Sequence, residues 1–124
     1  MKTVLVVDDE SSIRNFVSFV LTKQGYRVSS AEDGRETLEK FAAERPDLTI
    51  TDVTMPEMEG MEFILALRKK DQHASVIVMS GNSIGKSFLR SARIIGARAS
   101  LIKPFTAEEL RQVVERVLKD GSIS

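Results

Sequence analysis

The chain has 124 residues, no cysteine, and 18 basic side chains against 18 acidic ones. That length suits one ordinary domain with a buried core, and 42% apolar with 29% charged residues excludes an extended disordered chain. Zero net charge removes any global pull toward nucleic acid or anionic lipid, and the missing cysteine excludes disulfides and thiolate chemistry.

The pattern alternates along the chain. "TVLVV" is a β-branched run that reads as a strand buried on both faces. It is also the only apolar stretch near the N-terminus, too short for a signal peptide or a membrane span, so the expected address is cytoplasmic. Ser11 or Ser12 then offers a cap for a helix running to Gln24 and stopped by Gly25. "YRVSSA" is a more polar second strand. Asp33 to Ala43 carries helical apolar spacing at Leu38, Phe41 and Ala42, and Pro46 closes the connection. "LTITD" is a third strand, followed by a turn at Pro56 and a helix around Gly60 to Lys70. "SVIVMS" is a fourth strand, and Ser83 to Ile95 a fourth helix ended by Gly96. "SLI" is the fifth strand. Thr106 caps the last helix, with Glu109 three residues on completing a capping box.

Five strands alternating with five helices mean parallel βα units, hence a doubly wound α/β sheet covered on both faces. Ligands in such folds sit at the carboxyl ends of the strands. Asp8 and Asp9 follow the first strand, Asp52 ends the third, Ser80 the fourth and Lys103 the fifth. These residues are therefore expected along one edge of the sheet, although the sequence scatters them. Glu10 adds a third carboxylate to "DDE", and bare acidic clusters repel, so a cation is needed. Carboxylates, a hydroxyl and an ammonium suit Mg²⁺ with a phosphoryl group, because Mg²⁺ takes few carboxylates and shares phosphate oxygens. Taken singly each residue has an ordinary reading, as a strand exit, a turn residue or a solvated charge. Their joint placement at strand ends is what points to a site.

Four fragments in order, "VVDDE", "ITDVTMPEMEG", "VMSG" and "LIKPF", make the chain resemble the receiver domain of two-component response regulators. The resemblance covers residues 1–124 as one receiver domain and is to the single-domain type similar to the chemotaxis regulator. It implies a flavodoxin-like five-stranded (βα)5 sheet in the order 2-1-3-4-5. It also implies that Asp52 is the phospho-acceptor, taking its phosphoryl group from a sensor histidine kinase or a phosphotransfer protein. Mg²⁺ would be held by Asp9 directly, by Asp8 through water, by Asp52 and by the Thr54 carbonyl. Lys103 would pair with the phosphoryl oxygens and the Ser80 hydroxyl would hydrogen-bond to one of them. The Lys103–Pro104 bond resembles one that is cis in the family. A carboxylate can act as nucleophile in phosphoryl transfer, and the resulting acyl phosphate is labile enough to hydrolyse slowly at the same site.

The expectation is therefore a phosphorylation-controlled binding module rather than a conventional enzyme. It would act on an unknown downstream protein, without direct DNA binding and without membrane insertion. One alternative is a receiver-like interaction module that works without phosphorylation; others are a phosphate sink or relay intermediate. A small phosphatase is disfavoured because the Asp-x-Asp pattern is absent, Thr54 standing two residues after Asp52. Typical receivers carry an aromatic residue three positions before the lysine. Here that position is Ser100, and the segment from Ser80 to Gly96, with Gly81 and Gly85, is one residue longer than in the chemotaxis regulator. An ordering of that segment on phosphorylation is an alternative switch.

Two surfaces suggest partners. On the first helix Val17, Val20 and Leu21 suit the sheet, leaving Ile13, Phe16 or Phe19 toward a flank that faces either a kinase or the last helix. Lys86, Arg90 and Arg93 form a basic stripe at helical spacing on the fourth helix. His73 and the methionines Met55, Met58 and Met61 read as surface or packing residues, and "GNSIG" lacks the ending of a phosphate loop.

Overall fold

The computed structural model describes residues 1–52, 69, 75–81 and 96–121. Five strands form one parallel sheet: β1 Thr3–Val7, β2 Arg27–Ala31, β3 Leu48–Asp52, β4 Val76–Ser80 and β5 Ala99–Ile102. Their order across the sheet is β2-β1-β3-β4-β5, as the resemblance implies. Three described helices complete it: α1 Ser11–Lys23, α2 Gly34–Glu44 and α3 Ala107–Gly121. The helices expected around residues 60–70, apart from helical Lys69, and over 83–95 lie outside the described residues. So do the Pro56 turn, Thr54, His73, the three methionines, Gly85 and the basic stripe. Among the described residues no helix is long and apolar enough to cross a membrane.

Alternation along each strand sorts the residues onto two faces. One face carries Val4, Val6, Leu48, Ile50, Ile77, Met79, Ala99 and Leu101. These pack with Val17, Val20 and Leu21 of α1 and with Leu110, Val114 and Val117 of α3 in one buried cluster. The three α1 residues are those that the helical spacing turns toward the sheet. The opposite face carries Leu5, Val7, Thr49, Thr51, Val76, Val78 and Ser100. Register places Thr51, Val78 and Ser100 in one row across the strands.

Local signals explain the helix ends. Glu109 N–H donates to Thr106 Oγ1 at 3.0 Å and Thr106 N–H to Glu109 Oε1 at 2.9 Å, so the capping box before α3 is complete. Asp33 caps α2 by accepting from Glu36 N–H at 2.8 Å, and Arg45 closes it with a left-handed φ of 46°. The start of α1 departs from the expected serine cap. Glu10 is the N-cap and makes no side-chain cap bond, so Ser11 and Ser12 are already helical. The cause lies one step earlier: the Asp8 carboxylate accepts from Glu10 N–H at 2.9 Å and turns the chain into the helix before the serines are reached. Gly25, at φ 95°, follows the Gln24 cap in a conformation that a side chain would strain.

Candidate functional site

The parity of the apolar face continues to the end of β3 and one residue past the ends of β1 and β5. Val4 and Val6 lead to Asp8, Leu48 and Ile50 to Asp52, and Ala99 and Leu101 to Lys103. The two steps just beyond the sheet stay tied to it: Asp8 N–H donates to the Ala31 carbonyl at 3.2 Å and Lys103 N–H to the Ser80 carbonyl at 2.7 Å. Each charged side chain therefore ends a column of aliphatic residues. All three converge.

Lys103 Nζ lies 2.8 Å from Asp8 Oδ2, 3.3 Å from Asp52 Oδ2 and 3.9 Å from Glu10 Oε1. Asp8 and Asp52 are buried and Lys103 nearly so, with 14% of its side chain exposed. Burial pushes the Asp8 carboxyl above its ordinary range; the bonds from Lys103 and from Glu10 N–H oppose that rise, and the Asp52 charge adds to it. Burial pulls the Lys103 ammonium down. Its hydrogen bond to Asp8 and the charge of Asp52 outweigh that and hold it above its usual value. The ammonium is thus firmly charged, yet a single cation leaves the buried acid short of compensation.

Carboxylate oxygens of Asp8, Asp9 and Glu10 lie within 4.8 Å of one another, the first buried and the other two exposed. Hard oxygen donors on one solvent-facing rim, beside a buried acid that resists ionisation, fit a small divalent cation. Asp52 is held to this cluster through Lys103. The remaining expected ligand, the Thr54 carbonyl, lies outside the described residues.

Ser80 is placed differently. It shares parity with Val76 and Val78 and so belongs to the opposite face. Its Oγ is buried and has no hydrogen-bond partner among the described residues. Ser100 is half-buried on the same face, one register row below. Lys103–Pro104 is a cis peptide.

One participant escaped the sequence reading. Arg14, in the first turns of α1, donates from Nη1 to the Asp8 carbonyl at 2.6 Å. Its Nη2 lies 3.8 Å from Glu32 Oε2 just beyond β2. The target is a main-chain oxygen, which no residue pattern announces.

The flank of α1 is covered unevenly. Phe16 meets Phe105, their ring centroids 6.1 Å apart, and remains 37% exposed. Phe19 is 60% exposed, with Lys23 Nζ 4.8 Å above its ring.

The class defined by the fold and the site is a doubly wound parallel α/β domain with an acidic pocket and a lysine at the carboxyl edge of its sheet. Comparison with known proteins agrees. The model of the response regulator receiver domain matches residues 4–115. The chemotaxis protein CheY of Thermotoga maritima is 34% identical over 119 residues, covering 95% of this chain and 98% of that protein. The structure of Vibrio cholerae CheY4 superposes with a TM-score of 0.86 at 39% identity, covering 94% of this chain and 98% of that one. NtrX of Brucella abortus gives 0.90 at 29% identity, covering 99% of this chain but 28% of that longer one.

The chain belongs to the response regulator receiver domain family. It is a CheY-like receiver of two-component signalling, in a family where phosphorylation on aspartate and Mg²⁺ binding at an acidic pocket are typical.

Proposed function

We propose that this receiver accepts a phosphoryl group on Asp52 and changes its protein binding in response. The observation that carries the reading is the Lys103 ammonium, 2.8 Å from Asp8 and 3.3 Å from Asp52, with both carboxylates buried. In the reaction an Asp52 oxygen forms a bond to phosphorus while the donor's phosphorus–nitrogen bond breaks. The departing imidazole keeps that electron pair and takes a proton. Lys103 is placed to release part of its hold on Asp52 and pair with the incoming phosphoryl oxygens. Ser80 Oγ, buried without a partner among the described residues, has a donor to offer an oxygen of that group. Reversal by water attacks phosphorus, breaks the Asp52 oxygen–phosphorus bond and restores the carboxylate.

Asp8, Asp9 and Glu10 would hold Mg²⁺, with Asp52 and the Thr54 carbonyl as further ligands. The ion supplies positive charge to the phosphoryl oxygens. The upstream partner of the receiver would be a sensor histidine kinase or phosphotransfer protein that docks along the flank of α1, where Phe19 and part of Phe16 are exposed. Mass spectrometry after treatment with acetyl phosphate and Mg²⁺ tests the reading. One phosphoryl group is expected on the native chain and none on Asp52→Ala; equal labelling of both, or of neither, overturns it.

Ser100 favours a second reading, in which the module binds its target without phosphorylation. A serine half-buried in β5 cannot fill the volume that a switching aromatic ring occupies. Metal-dependent binding of beryllofluoride separates the two, because it needs a working acceptor site.

A further inference from the structure

Asp8 has every polar main-chain and side-chain group engaged. Its N–H donates to the Ala31 carbonyl, its Oδ1 accepts from Glu10 N–H and its Oδ2 accepts from Lys103. Its carbonyl accepts from Arg14 at 2.6 Å. That last bond differs in kind, because the Asp8 carbonyl belongs to the peptide plane that also contains the nitrogen and Cα of Asp9. Fixing the oxygen fixes the direction in which Asp9 leaves the strand. Arg14 is itself held from both sides. Its backbone sits in the first turn of α1, its N–H donating to the Glu10 carbonyl at 3.2 Å. Its second nitrogen faces Glu32, whose N–H is in turn bound by Glu36 at 2.8 Å within the cap of α2. With 18% of its side chain exposed, the guanidinium is largely enclosed.

We infer that Arg14 is a positioning residue for the acidic pocket: it fixes the Asp8–Asp9 peptide plane and thereby the mutual placement of the carboxylates that receive the cation. The inference rests on the proposed Mg²⁺ site and adds to it a residue that touches neither metal nor phosphoryl group. Groups of this outer layer commonly change metal affinity by about 10- to 100-fold when removed.

The sign of the effect makes the test sharp. Deleting a nearby positive charge, with nothing else altered, tightens the binding of a cation. Weaker binding in a variant without that charge therefore reports lost positioning. Calorimetric titration with Mg²⁺ alone, without phosphodonor, compares the native chain, Arg14→Met and Arg14→Lys. Arg14→Met is expected to bind roughly tenfold more weakly or worse. Arg14→Lys, which keeps the charge and one donor but loses the fork, should lie between. In EDTA the Asp9 and Glu10 amide resonances should shift in Arg14→Met while those of Val114 and Val117 in α3 stay in place.

Unchanged or tighter Mg²⁺ binding in Arg14→Met overturns the inference. If that variant does not fold, Arg14→Lys carries the test, and native affinity there overturns it equally. A native chain that binds no Mg²⁺ removes the cation-pocket reading itself, which is a different failure from normal binding in every variant.

Discussion

The two faces of the sheet are built from alternate residues of the same strands, yet they differ in kind. Toward α1 and α3 the rows are aliphatic, and the columns end in Asp8, Asp52 and Lys103. On the other face hydroxyls interrupt the rows at Thr49, Thr51, Ser80 and Ser100, and two of those hydroxyls are buried with no partner among the described residues. The difference teaches where rigidity is placed. Charged groups that must hold sub-ångström relations stand on close-packed columns, because dense cores resist displacement. The face that carries Ser80 is less well satisfied, and a group that changes partners has to come from such a surface.

The largest expected effect tests the packed face directly. Ile50 is fully buried between Leu48 and Asp52 on the β3 column. Ile50→Ala should cost about 3 kcal/mol of unfolding free energy in urea denaturation, through lost burial and a residual cavity. It should also loosen the Asp52–Lys103 pair, seen as weaker binding of beryllofluoride in the folded protein. A loss under about 1 kcal/mol would mean that this face is no better packed than its opposite.

How much of this arrangement the sequence disclosed depends on the kind of interaction. β1, β3 and β4 were legible because parallel strands buried on both faces read as short apolar, β-branched-rich runs. Asp8, Asp52 and Lys103 were legible because strand ends of such sheets face one edge. The N-cap of α1 was misjudged since Ser11 has the right chemistry, and only the geometry reveals that Asp8 turns the chain first. Arg14 stayed hidden for a deeper reason: its partner is a carbonyl, and every residue has one. That Ser80 has the opposite parity to the charged trio was not legible, because β4 is buried at every position and only the register Asp52↔Met79 assigns its faces. Its missing partner likewise depends on packing that no spacing encodes.

A middle-sized effect comes from the shortage of positive charge at the end of the packed columns. Because the folded-state pKa of Asp8 is raised above its ordinary value of 3.8, its protonated form favours the fold. That contribution is fully present below 3.8 and disappears as pH rises through the higher folded value. Above that value the carboxylate stands ionised and Mg²⁺ has most to offer. At ten times its dissociation constant Mg²⁺ should add about 1.4 kcal/mol near neutral pH, read as a rise in melting temperature. The gain should shrink on acidification through the folded pKa of Asp8, as protons compete for the same oxygen. Lys103 acts with the same sign at the alkaline end: its raised pKa keeps the ion pairs intact up to the ordinary 10.5, and their contribution is lost as pH rises through the higher folded value. A Mg²⁺ effect that is independent of pH between acid and neutral would place the cation away from Asp8.

The smallest effect probes the hydroxyl face without touching the site. Thr49 pairs with Leu5 and Val76 across the sheet at the end remote from Asp52, fully buried, its Oγ1 lacking a partner among the described residues. Removing a buried hydroxyl that satisfies nothing relieves its desolvation cost, and valine keeps the shape. Thr49→Val is therefore expected to stabilise the fold by about 0.5 to 1 kcal/mol in urea denaturation, an unusual sign for a core substitution. Mg²⁺ affinity should stay unchanged, because Thr49 has the opposite parity to the columns that carry Asp8, Asp52 and Lys103. Destabilisation instead would show that the hydroxyl is engaged in solution. The contrast between the faces would then reduce to the site end alone, where the buried Ser80 hydroxyl has no partner among the described residues.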